Sequence, residues 1–212
     1  MQLGASVLEQ DERGVKVLLL ADGNILKIFR LRGIFTSSQL YSNARSFCRN
    51  AERLLKLGIP TISIIQLYHF AESSNTAVLY LPLAGDTIKT ILQRESTHDG
   101  NLQDEDCIKL GQFIANLHQF GIHFKSLHFG NIVRTPAGDL GLIDIADMRV
   151  FLWRLHFNTR VRSFKRLVRY KDDMKLLGFS RLELLLKSYL IAANMPTEKQ
   201  GIMLQKITQL IK

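Results

Sequence analysis

The chain has 212 residues, 46% apolar and 22% charged with only four prolines, which suits one good-sized domain or two small lobes and excludes disordered and low-complexity classes. Its net charge of +9 is unevenly placed: Arg149–Lys175 holds nine Lys/Arg against two Asp, a net of +7 in 27 residues, and the other 185 residues sum to +2. The longest charge-free stretches, Leu57–Ala71 and Leu110–Phe124, are 15 residues each, short of the roughly 18–20 apolar residues a membrane span needs.

The start, Met-Gln-Leu-Gly-Ala, has neither a basic head nor an apolar core, so no secretory leader is expected. Two cysteines, Cys48 and Cys107, are too few for a disulfide scaffold and suit a reducing cytoplasm. In chain order, Leu3–Leu8 is a candidate strand, ended by the polar cluster Glu9–Arg13. Two β-rich runs then flank Asp22-Gly23-Asn24, a strong hairpin signal. A helix follows, capped by Ser37 or Ser38, with Leu40, Ala44, Phe47, Ala51, Leu54 and Leu55 at helical spacing, a stop at Gly58 and Pro60 beyond. Residues 62–70 and 76–83 read as strands around Glu72-Ser73-Ser74-Asn75.

After Leu83-Ala84-Gly85 the pattern turns helical: Thr87–Gln93, a polar loop at 94–101, then Asp104–Phe120 with Ile108, Phe113, Ile114 and Leu117 inward. A second hairpin pairs 131–135 with 140–145 around Pro136-Ala137-Gly138-Asp139, and from about Leu152 the chain reads as helix, broken at Met195-Pro196. The expected architecture is α+β: a small antiparallel-sheet lobe, 1–84, and a mainly helical lobe, 85–212.

The chemistry concentrates in residues 121–149. Asn131 follows a polar loop after a long helix, and Asp144 ends the next strand. An amide oxygen and a carboxylate suit Mg²⁺, which prefers oxygen ligands and shares them with phosphates. Upstream, Lys27 sits in the apolar strand Ile25–Phe29, where a buried ammonium needs an anionic partner. Lys, Asn and Asp in that order form the minimum set for ATP-dependent phosphoryl transfer. His118 reads as helix packing, Trp153 and Phe157 as helical core in preference to a membrane-facing edge, and Asp147 as a base or a partner for Arg149. The basic segment 149–175 suits an anionic partner or a solvated helix face; nucleic acid is not expected, because no recognition motif accompanies the charge.

These motifs resemble the lipopolysaccharide kinases that phosphorylate Kdo or heptose sugars, over roughly residues 5–178. The family's catalytic loop reads like His-Arg-Asp-Leu-His-Pro-Gly-Asn-Ile-Leu, against Phe124-Lys125-Ser126-Leu127-His128-Phe129-Gly130-Asn131-Ile132-Val133 here. Its metal-binding segment, like Leu-Ile-Asp-Phe, corresponds to Leu142-Ile143-Asp144-Ile145. The resemblance implies a two-lobed protein-kinase-like fold and ATP-dependent transfer to a sugar hydroxyl of lipopolysaccharide, in the cytoplasm or peripherally at the inner face of its membrane. It implies Lys27 on the ATP phosphates, Asn131 and Asp144 on Mg²⁺, and segment 149–175 on the lipopolysaccharide core, another anionic glycolipid or the membrane surface.

Three departures stand out. Ser126 replaces the catalytic Asp, with His128 as a substitute base; no Gly-x-Gly-x-x-Gly loop opens the chain; and the helix carboxylate to pair with Lys27 is Glu52, although Asn50 lies closer to the apolar face carrying Phe47 and Leu54. The alternative is therefore a pseudokinase, a binding or regulatory module in envelope biogenesis.

Overall fold

A computed structural model describes residues 4–12, 14–30, 37–70, 75–95 and 102–210, without the side chains of 37–42 and 95. The chain forms two units: Met1–Ala84 with Leu142–Asp147, and Gly85–Gly141 with Met148–Lys212. The structure is α+β, with a five-stranded antiparallel sheet in the first unit and a mainly helical second unit.

In the first unit the strands β1 (Ser6–Asp11), β2 (Gly14–Leu19), β3 (Ile25–Phe29), β4 (Ser63–His69) and β5 (Thr76–Leu81) lie in the order β1-β2-β3-β5-β4. The Asp22-Gly23-Asn24 hairpin forms as predicted: Leu20 donates to the Asn24 carbonyl at 2.8 Å, and the Asp22 carboxylate accepts from the Asn24 amide at 3.0 Å. β1 does not end at the polar cluster but runs to Asp11, exposed along its whole length. As an edge strand it needs only backbone pairing to β2, so polarity does not stop it.

Helix α1 (Ser37–Lys56) packs on the sheet through Ala44, Phe47, Asn50, Ala51 and Leu54, all buried; Leu55, predicted inward, is exposed. Its end is a Schellman motif: Ile59 donates to the Leu54 carbonyl at 2.9 Å and Gly58 to that of Leu55 at 3.0 Å. Gly58 has φ +70°, a conformation that costs a residue without Cβ nothing. The Ser37 or Ser38 cap, Leu40, Leu3, Arg13, the turn residues 72–74 and loop residues 96–101 lie outside the described residues or side chains.

The second unit begins with β6 (Asp86–Thr87) and α2 (Ile88–Glu95), whose cap is Thr87: its hydroxyl accepts from the Thr90 amide at 3.0 Å. Then come α3 (Asp104–Gln119), β7 (Ile122–Phe124), β8 (Ile132–Arg134), β9 (Leu140–Leu142) and β10 (Met148–Val150). β6, β8 and β9 form one small sheet, β7 and β10 another. Strands β6, β7 and β10 are too short to carry a period-two pattern, so the sequence does not announce them.

Four helices finish the chain: α4 (Phe157–Val168), α5 (Lys171–Leu177), α6 (Phe179–Ala192) and α7 (Thr197–Thr208). Residues 151–156 are not helical, correcting the start expected at Leu152, and Trp153 is 58% exposed rather than core. Besides the predicted break at Met195-Pro196, the helices part at Tyr170 and Gly178. α3 and α6 cross closely at Gly111, where a Cβ would stand 2.0 Å from Ser188 Oγ and 2.3 Å from the Leu185 carbonyl oxygen.

Candidate functional site

Strand alternation places Lys27 and Phe29 on one face of β3, the face on which Phe29 meets Phe47 of α1 with ring centroids 5.7 Å apart. The Lys27 ammonium ion-pairs with the Asp144 carboxylate and lies 5.6 Å from the Phe47 ring centroid. Phe47 in turn tilts against Tyr80 at 5.5 Å. Burial pushes the Tyr80 hydroxyl well above the usual phenol range, and the charges of Asp144 and Glu9 push it further. The result is an ammonium held in an aromatic corner, with its stem shielded and one carboxylate in front.

Asp144 reaches Lys27 because the segment after β9 is pinned to the first unit at three points. The Leu142 amide donates to the Pro60 carbonyl at 2.9 Å, Thr61 Oγ1 donates to the Leu142 carbonyl at 2.6 Å, and Asn50 Nδ2 donates to the Ile145 carbonyl at 2.8 Å. Between these anchors Asp144 takes φ +52°, a left-handed conformation that Asp tolerates better than most residues but that still costs free energy. Its side chain is 51% exposed, whereas that of Lys27 is 17% exposed.

Glu52 is not the partner of Lys27. It lies about 140° around α1 from the face carrying Phe47, Asn50, Ala51 and Leu54, and it is exposed. The inward polar residue of that helix is Asn50, and it binds the backbone beside Asp144 rather than a phosphate-holding lysine.

The other predicted residues belong to the second unit, in the loop after β7. Asn131 is buried; its Nδ2 donates to the Ser126 carbonyl at 2.8 Å, and its amide donates to the His128 carbonyl at 2.9 Å. With the amide nitrogen committed, the side-chain oxygen is the end left to ligate. His128 accepts at Nδ1 from the Gly130 amide at 3.0 Å and lies against the Tyr170 ring, centroids 4.6 Å apart. A neutral ring accepting at Nδ1 carries its proton on Nε2, so that nitrogen donates rather than accepts. Ser126 is half-buried and offers a hydroxyl where the resembling loops carry a carboxylate.

Sequence reasoning missed Asp173 and Lys89. Asp173 is buried, its carboxylate lies 3.6 Å from Lys89 Nζ, and Lys89 runs past the loop, its Cδ 3.7 Å from where a side chain on Gly130 would begin. Asp173 counts only as one of two acids in a basic run; nothing in the sequence says that it turns inward.

The basic segment is not one solvated face. Arg160 is 5% exposed and donates from Nε to the Leu155 carbonyl at 2.8 Å, and Arg166 lies 3.2 Å from His123 Nε2. Burial lowers the His123 pKa, and Arg166, Lys125, Arg162 and Arg149 lower it further, which suits a neutral ring accepting from Arg166. Arg149, Arg154, Arg162, Lys165, Arg169, Lys171 and Lys175 are exposed.

A small antiparallel-sheet unit carrying a lysine–aspartate pair, followed by a helical unit with an Asn-bearing loop, is the protein-kinase-like fold. Over 87% of its length the chain is similar to the solved structure of the bifunctional kinase-methyltransferase WbdD, with 15% identity and a TM-score of 0.50. Two further WbdD structures, one at higher resolution and one with the kinase inhibitor LY294002, match at 14% and 16% identity, with TM-scores of 0.49 and coverage of 92% and 91% of this chain. The chain spans just under half of these proteins, 45% to 47%. At this identity the likeness shows the fold. No protein-family model matches the sequence, and no curated protein does. Among the described residues no helix is long and apolar enough to cross a membrane.

Proposed function

We propose that this chain binds a magnesium–ATP complex and transfers its terminal phosphoryl group, slowly, to a sugar hydroxyl of lipopolysaccharide. The observation that carries the nucleotide part is the Lys27–Asp144 pair, an ammonium in an aromatic corner beside a half-exposed carboxylate on a strained backbone. The donor chemistry suits the metal: Asp144 and Asn131 would each offer an oxygen, as Mg²⁺ prefers, and the metal would neutralise charge on the transferring phosphate. Lys27, whose ammonium lies over the Phe47 ring, would turn it from Asp144 to the phosphates. The acceptor class, and the seating of that acceptor or of the inner membrane surface on segment 149–175, rest on the resemblance of the catalytic and metal loops to the lipopolysaccharide kinases.

In the transfer, the bond from the γ-phosphorus to the acceptor oxygen forms as its bond to the β,γ-bridging oxygen breaks, and the hydroxyl proton must leave. Ser126 is too weak a base near neutral pH to take it, and His128 donates from the nitrogen a base would use. Losing the positioned base that the resembling loops carry forfeits a factor of about 10²–10⁴ in rate unless another carboxylate such as Asp147 takes its place. The same two observations favour a second reading, a pseudokinase that binds nucleotide without turnover and serves as a regulatory module. Transfer from γ-labelled ATP to lipopolysaccharide core separates the two. The proposal expects weak labelling, increased by Ser126→Asp and indifferent to His128→Ala; labelling absent in both the natural chain and Ser126→Asp selects the pseudokinase.

A further inference from the structure

A cleft of about 530 Å³ lies in the second unit, lined by residues 153–157 and 160 on one side and by 193–196 and Lys199 on the other. Its cations are Arg154, Arg160 and Lys199, with His156 beside them, and no Asp or Glu lines it. His156 is the cap of α4 and Pro196 the cap of α7, so the positive ends of two helices border the same space.

Arg160 makes this more than a basic surface. It is 5% exposed, and its Nε is held by the Leu155 carbonyl at 2.8 Å. Among the described residues no carboxylate pairs with it. A buried cation is costly without a counter-charge, and here the surroundings add further positive charge instead. Trp153, which lines the cleft next to Arg154, is 58% exposed, and its chain neighbour Leu152 is fully exposed. An aromatic and an aliphatic side chain standing in water beside arginine is the arrangement of a headgroup-level contact.

We propose that this cleft binds a phosphate monoester, the headgroup of an anionic amphiphile whose apolar part meets Leu152 and Trp153. It would do so whether or not Lys27 and Asp144 hold a nucleotide. Arg154 and Lys199 close on the phosphate oxygens, and Arg160 supplies the buried charge beneath them.

The test uses Trp153, the single tryptophan of the chain, as its own reporter. Phosphatidylcholine vesicles doped with phosphatidic acid should shift its emission to the blue, and undoped vesicles should not. The Arg154→Gln, Lys199→Gln double variant should weaken this binding by roughly tenfold or more, since each removes a charge-assisted hydrogen bond. Arg53→Gln with Lys56→Gln removes the same charge from exposed positions outside both the cleft and segment 149–175, and should weaken it far less. Soluble glycerol 3-phosphate is the second arm. If it perturbs Trp153 with the same dependence on Arg154 and Lys199 while vesicles do not, the cleft serves a soluble phosphorylated ligand. Equal loss in the two double variants, or no response to either probe, overturns the site. None of these readouts involves Asp144, so a failed nucleotide site and a failed cleft are distinguishable.

Discussion

Lowering the pH from 7 to 5 should destabilise the second unit through one residue, His118. It is 1% exposed on α3, and its Nδ1 lies 2.9 Å from the Tyr189 hydroxyl, a group that can donate to a neutral imidazole. Burial brings its pKa down to about 3, and the Arg160 and His123 charges add to the effect. The unfolded chain takes up a proton near the ordinary value of about 6.5, while the folded chain does not until far lower pH. Between those values the unfolded state binds more protons, so stability falls as pH falls, by about 1.4 kcal/mol per pH unit. From 6.5 to 5 this amounts to about 2 kcal/mol, or a drop in melting temperature of roughly 4–8 °C for a chain of this size. His123, shifted the same way, adds to the slope of the natural chain. His118→Gln keeps an acceptor for Tyr189 but cannot titrate. Calorimetric melts of both proteins at pH 7 and pH 5 should therefore show the natural chain losing more than the variant, by the amount above. Parallel losses would refute a neutral, buried His118.

Gly111→Ala should lower the melting temperature sharply, because its Cβ would meet Ser188 Oγ at 2.0 Å and a backbone carbonyl at 2.3 Å; overpacking of this kind costs about 1–3 kcal/mol or more, read in a urea melt. Asn50→Ala leaves the Ile145 carbonyl without its 2.8 Å donor, which should cost about 1–3 kcal/mol and weaken nucleotide binding by freeing the segment that carries Asp144. Arg160→Gln should destabilise the protein measurably in thermal melts, whereas Arg162→Gln should not, since only the first is buried.

Much of this was legible in the sequence where one signal decides. The Asp-Gly hairpin and the Gly58 stop each follow from a turn or cap residue beside a periodic run. Lys27 stood out because an ammonium inside Ile25–Phe29 demands a partner, but which carboxylate answers it depends on where a chain 117 residues later is pinned. Glu52 was the obvious choice by helix and charge, and its angular position on α1 ruled it out; Asn50 held the inward position. The basic run shows the opposite limit. A count of charges cannot separate the buried Arg160 from the exposed Arg162, because that difference arises in the packing of α4, where Arg160 turns inward to the Leu155 carbonyl. Trp153 misled for a related reason: hydrophobicity beside a helix predicts burial, and the six residues before α4 leave the helix altogether.

The central proposal is that the Lys27–Asp144 pair belongs to a metal–nucleotide site, and isothermal titration of ATP tests it most directly. The natural chain should bind ATP with Mg²⁺ present and much more weakly with chelator, and Asp144→Asn should remove the metal-dependent part at a temperature where calorimetry shows the variant folded. Affinity that is the same with and without Mg²⁺, or that is unchanged by Asp144→Asn, would contradict it.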